Sequence, residues 1–226
     1  MYRKEMTGIE SEKVTFRESL INIYYDLVPL VSLNIIWFLL TLPIVTAFPA
    51  AAGLYYATNQ LAHQKGAGWK TFFDGFRIHF WLSWRWGLLN AIILIVLVSN
   101  IVFYGQLEAE WSVWLRGVII GLSILWGIIQ LYTFPFLLEQ EKQRLSTALR
   151  NSIVLLATRP APVLSVAFLS LVLAVLSTVI VLPAWFFFTA SLSVYLANKV
   201  VIDSVKKLQK DGAPEISRKK IVSTNK

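Results

Sequence analysis

Residues 86–106 read WGLLNAIILIVLVSNIVFYGQ and contain no charged side chain. A helix of about 20 apolar residues is long enough to cross the hydrocarbon core of a bilayer. The apolar character extends over the whole chain of 226 residues, of which 56% are hydrophobic and 15% charged. Ordinary soluble domains carry about 25% charged residues. Because too few charged side chains remain to cover a water-facing surface, the sequence predicts an integral membrane protein.

Five apolar runs are long enough to span a membrane, and two amphipathic segments lie between them. The amphipathic segments, residues 70–84 and 138–157, have one apolar and one charged helical face, which is typical of helices at the lipid interface. In the second segment, Glu139 is spaced to pair with Lys142 or Gln143 on a helix. We predict an all-α, polytopic membrane helix bundle with about five transmembrane helices and two interfacial amphipathic helices. The predicted spans are residues 23–48, 86–106, 112–134, 161–182 and 184–203.

These spans form one predicted transmembrane domain, residues 20–205, with polar segments on both sides. Residues 1–19 include four acids and no apolar core, so we expect no cleavable signal peptide. Residues 206–226 are basic, and we predict that they are disordered.

A weak internal repeat is one interpretation of the pattern. Phe-Pro pairs occur at residues 48–49 and 134–135, and the amphipathic segments 72–77 and 145–150 correspond. The alternative is that any two membrane hairpins of this kind look alike.

The distribution of basic residues predicts the orientation. With five spans, fifteen Lys and Arg residues fall on one side of the membrane and four on the other. Basic loops stay in the cytoplasm, so we expect a cytoplasmic C-terminus and an N-terminus outside. An alternative returns residues 49–64 through part of the bilayer as a broken hairpin, which gives six segments and places both termini inside. We favour five spans, because the second half has a water-exposed helix at the matching place.

Several classes of function are disfavoured by composition. The chain has no Cys and only two His, His63 and His79, which excludes thiolate metal sites and cysteine nucleophiles and disfavours zinc. No phosphate-binding loop, metalloprotease or serine-hydrolase motif occurs. We therefore predict no enzyme activity, no cofactor and no nucleic-acid partner, and we attribute the net charge of +8 to membrane orientation.

Polar residues share one face of the first span. Asn22, Asp26, Asn34 and Thr41 lie within about 120° of one another at 100° per residue. Polar groups at membrane depth either line a path for a polar solute or proton or form hydrogen bonds that hold helices together.

Prolines should interrupt the same span. We expect Pro43 and Pro49 to break or end the helix, with Thr41 and Thr46 donating to the freed carbonyls. In the third span, Gly117 and Gly121 form a GxxxG pair, which predicts close contact with another helix in the same chain or in a second copy.

The stretch NIIWFLLTLPIVTAFPA at residues 34–50, together with FFDGFR at residues 72–77, resembles the YesL-like family of bacterial integral membrane proteins of unknown function. One departure is Phe48, where the family pattern has glycine before the proline. The residues that carry the motif are Asn34, Trp37, Thr41, Pro43, Thr46 and Pro49.

The resemblance implies a bacterial plasma membrane location. Members of the family are often encoded near genes for carbohydrate uptake and polysaccharide degradation. This implies an accessory or regulatory role in carbohydrate uptake, with a transporter permease as partner. The alternative is a small-solute transporter or channel that acts as an oligomer.

Overall fold

The computed structural model describes residues 16–179 and 189–210 of the chain. Eight helices and no strands occur in these two ranges. They are α1 Phe16–Thr41, α2 Ile44–Ala62, α3 Trp69–Ile78, α4 Phe80–Gly105, α5 Glu110–Leu138, α6 Leu145–Thr158, α7 Pro160–Val179 and α8 Thr189–Lys210. The predicted all-α class is confirmed for the described residues.

Three helices are long and apolar enough to cross a membrane: Phe80–Gly105, Glu110–Leu138 and Pro160–Ser177. They contain the third predicted span, the second except for its last residue, and most of the fourth. Their large apolar side chains are mostly exposed, as the hydrocarbon environment requires. The count of five spans is not reproduced, because the first predicted span is broken and the fifth begins outside the described residues, at 184–188.

The break in the first span lies at Leu42 and Pro43. Proline has no N–H, and its ring disfavours helical backbone in the residue before it. Helix α1 therefore ends at Thr41, and α2 begins at Ile44 and packs back against α1. Thr46 Oγ1 donates to the Leu40 carbonyl at 2.5 Å and to the Pro43 carbonyl at 2.9 Å.

Helix α2 corrects the expectation for residues 49–64. The favoured five-span prediction leaves this segment outside the membrane spans, but it belongs to α2, which packs against α1, α3, α4, α5 and α8. Small side chains allow this burial, because Ala50, Ala52 and Ala57 are fully enclosed. Pro49 lies inside α2 and does not break it. The hydrogen bond that Pro49 lacks would go to the Val45 carbonyl in the first helical turn.

Three glycines set the close packing around α2. A Cβ on Gly53 would meet the Phe72 carbonyl oxygen at 2.8 Å, and a Cβ on Gly75 would meet the Tyr56 Cβ at 2.5 Å. On α4, a Cβ on Gly87 would collide with the ring of Phe48. The bulk of Phe48, the departure from the family pattern, is therefore accommodated by Gly87.

The first amphipathic segment is shorter than predicted, and its apolar face is covered by protein. Residues 70–84 divide at His79 into α3 and the start of α4. Phe72 is fully buried against α2, while Asp74 and Arg77 are exposed. The apolar stripe thus packs on another helix and does not rest only on lipid.

The second amphipathic segment is also shorter than predicted. Helix α5 continues through Pro135 to Leu138, residues 139–144 are not helical, and α6 begins at Leu145. The predicted pairing of Glu139 with Lys142 or Gln143 is wrong, because no helix connects them.

The two Phe-Pro pairs also differ in place: Pro49 is near the start of α2, whereas Pro135 is near the end of α5.

Polar side chains at the level of the spans join α4 to α5. Trp86 Nε1 and Asn90 Nδ2 donate to Gln130 Oε1 at 2.9 and 3.3 Å, and Trp126 Nε1 donates to Asn90 Oδ1 at 3.1 Å. These amides act as interhelical contacts.

Contacts between helix ends define the two ends of the bundle. His63 after α2 meets Glu139 after α5, and Arg159 before α7 donates to Ser204 of α8 at 3.0 Å. The opposite end holds the Tyr104–Trp111 contact at the α4–α5 turn. We call the end that holds the His63–Glu139 and Arg159–Ser204 contacts the basal end.

Candidate functional site

A cluster of polar side chains lies at the basal end, where α2, α5 and α8 meet. Asn59 and His63 are one helical turn apart and therefore share a face of α2. Glu139 follows the last residue of α5. Its Oε1 accepts a hydrogen bond from Asn59 Nδ2 at 2.8 Å and lies 2.8 Å from His63 Nε2. Because an ionised carboxylate only accepts, Nε2 is the protonated nitrogen in this arrangement.

Asn198 of α8 connects this cluster to the backbone of α2. Its Nδ2 donates to Thr58 Oγ1 at 3.0 Å and to the Tyr55 carbonyl at 3.2 Å, and its Oδ1 accepts from Asn59 Nδ2 at 3.5 Å. Asn198 and Thr58 are fully buried. Because these side chains are buried, each needs its hydrogen-bond partners: an unpaired buried polar group costs about 1–3 kcal/mol.

A cleft of about 280 Å³ opens beside the cluster. Its lining is polar and comes from the C-terminal end of α2 and one face of α8. The lining residues are Ala62, His63, Gln64, Lys199, Ile202, Asp203 and Lys206. The cleft and the cluster together form the candidate site.

The described residues of the predicted stripe on the first span, Asn34 and Thr41, are not part of this site. Asn34 is fully buried, and its Oδ1 accepts a hydrogen bond from the Ser191 N–H of α8 at 2.8 Å. Asn34 thus bonds another helix, as the second interpretation of the stripe expected. Thr41 Oγ1 donates to the Trp37 carbonyl at 2.7 Å within α1. The side chains of Asn22 and Asp26 lie outside the part that the structure describes.

The predicted close packing at Gly117 and Gly121 does not occur within the described chain. A Cβ on either residue would meet nothing within 4 Å.

The candidate site was missed because its residues are far apart in the sequence. Asn59 and Asn198 are 139 residues apart, and Asn59 and Glu139 are 80 apart. Glu139 was assigned to a water-exposed helical face, so its turn toward α2 was not anticipated. The spacing of Asn59 and His63 at i and i+4 was the available signal.

Among the described residues, no group of three or more His, Cys, Asp or Glu side chains is placed to hold a metal ion. The groups that the site offers to a ligand are hydrogen-bond donors, one carboxylate–imidazole pair and lysine ammonium groups.

Comparison with known proteins gives one match. No curated protein and no solved structure is significantly similar to the chain. Residues 30–101, which contain α2, α3, most of α4 and the end of α1, match the family described as "Protein of unknown function, DUF624". YesL-like proteins belong to this family, so the YesL-like resemblance is confirmed over residues 30–101.

Proposed function

We propose that this is a non-enzymatic membrane protein of the bacterial plasma membrane that assists or regulates carbohydrate uptake by binding a transporter permease. The observation that carries the proposal is how the polar groups at membrane depth are used. Asn34 bonds α8, and Trp86, Asn90 and Gln130 bond each other. Groups used in this way hold helices together and do not line a path for a solute.

The exposed surface of α5 supports a partner within the membrane. Gly117 and Gly121 face open space on a helix whose large side chains, including Val113 and Trp114, are exposed. Small residues at this spacing let another transmembrane helix approach closely. The carbohydrate link comes from the family resemblance alone.

We infer that the basal end faces the cytoplasm. The loops and helix ends that meet there carry most of the basic residues. The return of α2 along α1 supports the broken-hairpin alternative, with both termini on the cytoplasmic side.

Co-purification with a permease encoded nearby would test the proposal. We expect the Gly117→Leu/Gly121→Leu double variant to lose the permease, because leucine side chains prevent close approach. Gly127→Leu is the matched control, because Gly127 is also open, on a different face of α5. The proposal would be contradicted if the parent, the double variant and the control captured the permease equally, or if the parent captured none.

The alternative, a small-solute transporter or channel acting as an oligomer, is favoured by one feature, the polar cleft at the basal end. Uptake of a solute into liposomes that contain the purified protein alone would favour this alternative over the accessory role.

A further inference from the structure

The cleft at the basal end has an unusual concentration of cationic side chains. Lys199, Asp203 and Lys206 follow one another at spacings of four and three residues, so they share a face of α8. Lys199 Nζ lies 4.8 Å from the centre of the Tyr195 ring, which helps to fix its position. Two ammonium groups and one carboxylate leave an excess of positive charge along this wall.

The opposite wall is built by the end of α2. The Gln64 N–H donates to the Leu61 carbonyl and the Lys65 N–H to the Gln60 carbonyl, both at 2.9 Å. This pair of bonds is a Schellman motif, which places Gln64 in the left-handed region at φ 59°. Glycine is the usual residue there, because L side chains rarely adopt a positive φ. Gln64 instead brings an amide group to the cleft.

The nearby carboxylate does not cancel the positive charge of the wall. Glu139 is already held by Asn59 and His63 and does not line the cleft. Asp203 remains as the acidic group of the lining. The cleft thus presents two cations, an amide and a volume suited to a small ligand.

We propose that the cleft binds a phosphate group, with Lys199 and Lys206 pairing with its oxygens and Gln64 donating its amide. Lysine binds phosphate as a point charge, and such charge-assisted bonds are about twice as strong as neutral ones. The phosphate belongs either to a soluble phosphate ester or to the head group of an anionic lipid beside the protein. This inference does not rest on the proposed accessory function.

The test is binding by the full-length protein in nanodiscs of neutral lipid. Inorganic phosphate and glycerol phosphate are titrated calorimetrically, and a parallel preparation contains phosphatidylglycerol. We expect the Lys199→Gln/Lys206→Gln variant to lose at least about tenfold in affinity, because two charge-assisted bonds are removed. Lys207→Gln is the matched control: the neighbouring lysine on α8 is exposed and does not line the cleft.

Gln64→Gly separates a binding role from a structural one. It removes the amide but relieves the unfavourable backbone conformation, so we expect weaker phosphate binding together with a higher unfolding temperature. Unchanged affinity would remove Gln64 from the proposed site.

The two sources of phosphate give different results. Titratable binding in neutral nanodiscs assigns a soluble ester, whereas lipid retention that depends on Lys199 and Lys206 assigns a head group. Absence of both, or an equal loss in Lys207→Gln, would overturn the proposal.

Discussion

Asn34 shows how a single polar residue at membrane depth acts in this fold. It is fully enclosed and accepts a hydrogen bond from the first described turn of α8. The contact therefore joins α1 to α8. A hydrogen bond to another helix was one of the two interpretations of the polar stripe, and the sequence could not name Ser191 as the partner.

We predict that Asn34→Leu lowers the free energy of unfolding by about 1 kcal/mol, as interhelical hydrogen bonds in membranes do. Asn100→Leu is the control, because Asn100 Nδ2 donates to the Val96 carbonyl of its own helix. The measurement is denaturant unfolding in detergent. An equal loss in both variants would show that the Asn34 contact has no special role.

His79 is the buried titratable group at the α3–α4 junction. It is 3% exposed and lies between the rings of Tyr56 and Phe134. Loss of hydration lowers the pKa of His79 from its ordinary value. The folded protein therefore favours the neutral imidazole.

We predict that stability falls on acidification through about pH 6.5, the ordinary pKa of histidine. Below that pH the unfolded chain binds a proton that the folded chain resists, so the free energy of unfolding decreases. Thermal unfolding of the parent and of His79→Phe, compared across this range, measures the effect. The variant should be less sensitive to acid; identical slopes for the two proteins would show that another group is responsible.

At the scale of helices, the sequence predicted the long apolar elements well and their packing poorly. The run at 112–134 lies within α5, and the run at 86–106 lies within α4 except for its last residue, since apolar length alone specifies them. The favoured five-span prediction missed α2, although the broken-hairpin alternative returned residues 49–64 into the membrane. Small and polar residues suit a buried helix between other helices, which hydropathy does not distinguish from a loop.

Glycine packing gives the clearest example of this difference. The GxxxG motif on α5 faces open space, whereas single glycines on α2, α3 and α4 make the close contacts. The partner of each lies on another helix: Phe72 for Gly53, Tyr56 for Gly75 and Phe48 for Gly87. Spacing within one helix contains no information about such partners.

We predict that Gly75→Ala destabilises the protein by about 1–3 kcal/mol, the usual cost of overpacking. The new methyl group would lie 2.5 Å from the Tyr56 Cβ, so α2 and α3 must separate. Gly117→Ala is the matched control, with nothing within 4 Å. Thermal unfolding of the detergent-solubilised protein should show a loss for Gly75→Ala only. If the two variants unfold alike, α3 does not pack on α2 as described.

At the scale of the whole molecule, the fold separates an apolar part from a polar one. Helices α4, α5 and α7 supply the candidate spans. The polar cluster and the cleft lie at the basal end, with the C-terminal half of α8. The sequence predicted the uneven distribution of charge, and the structure adds that three helix ends bring the charged residues together.

The most direct test of this arrangement is the accessibility of single cysteines in intact cells. The chain contains no cysteine, so labelling of each introduced thiol is measured without background from other cysteines. Asp203→Cys places a thiol in the cleft, Lys142→Cys in the α5–α6 loop, and Glu108→Cys in the α4–α5 turn at the opposite end. We predict that a membrane-impermeant maleimide labels Glu108→Cys in intact cells, and labels the other two only in inverted vesicles. Labelling of Asp203→Cys from outside the cell would contradict a cytoplasmic basal end.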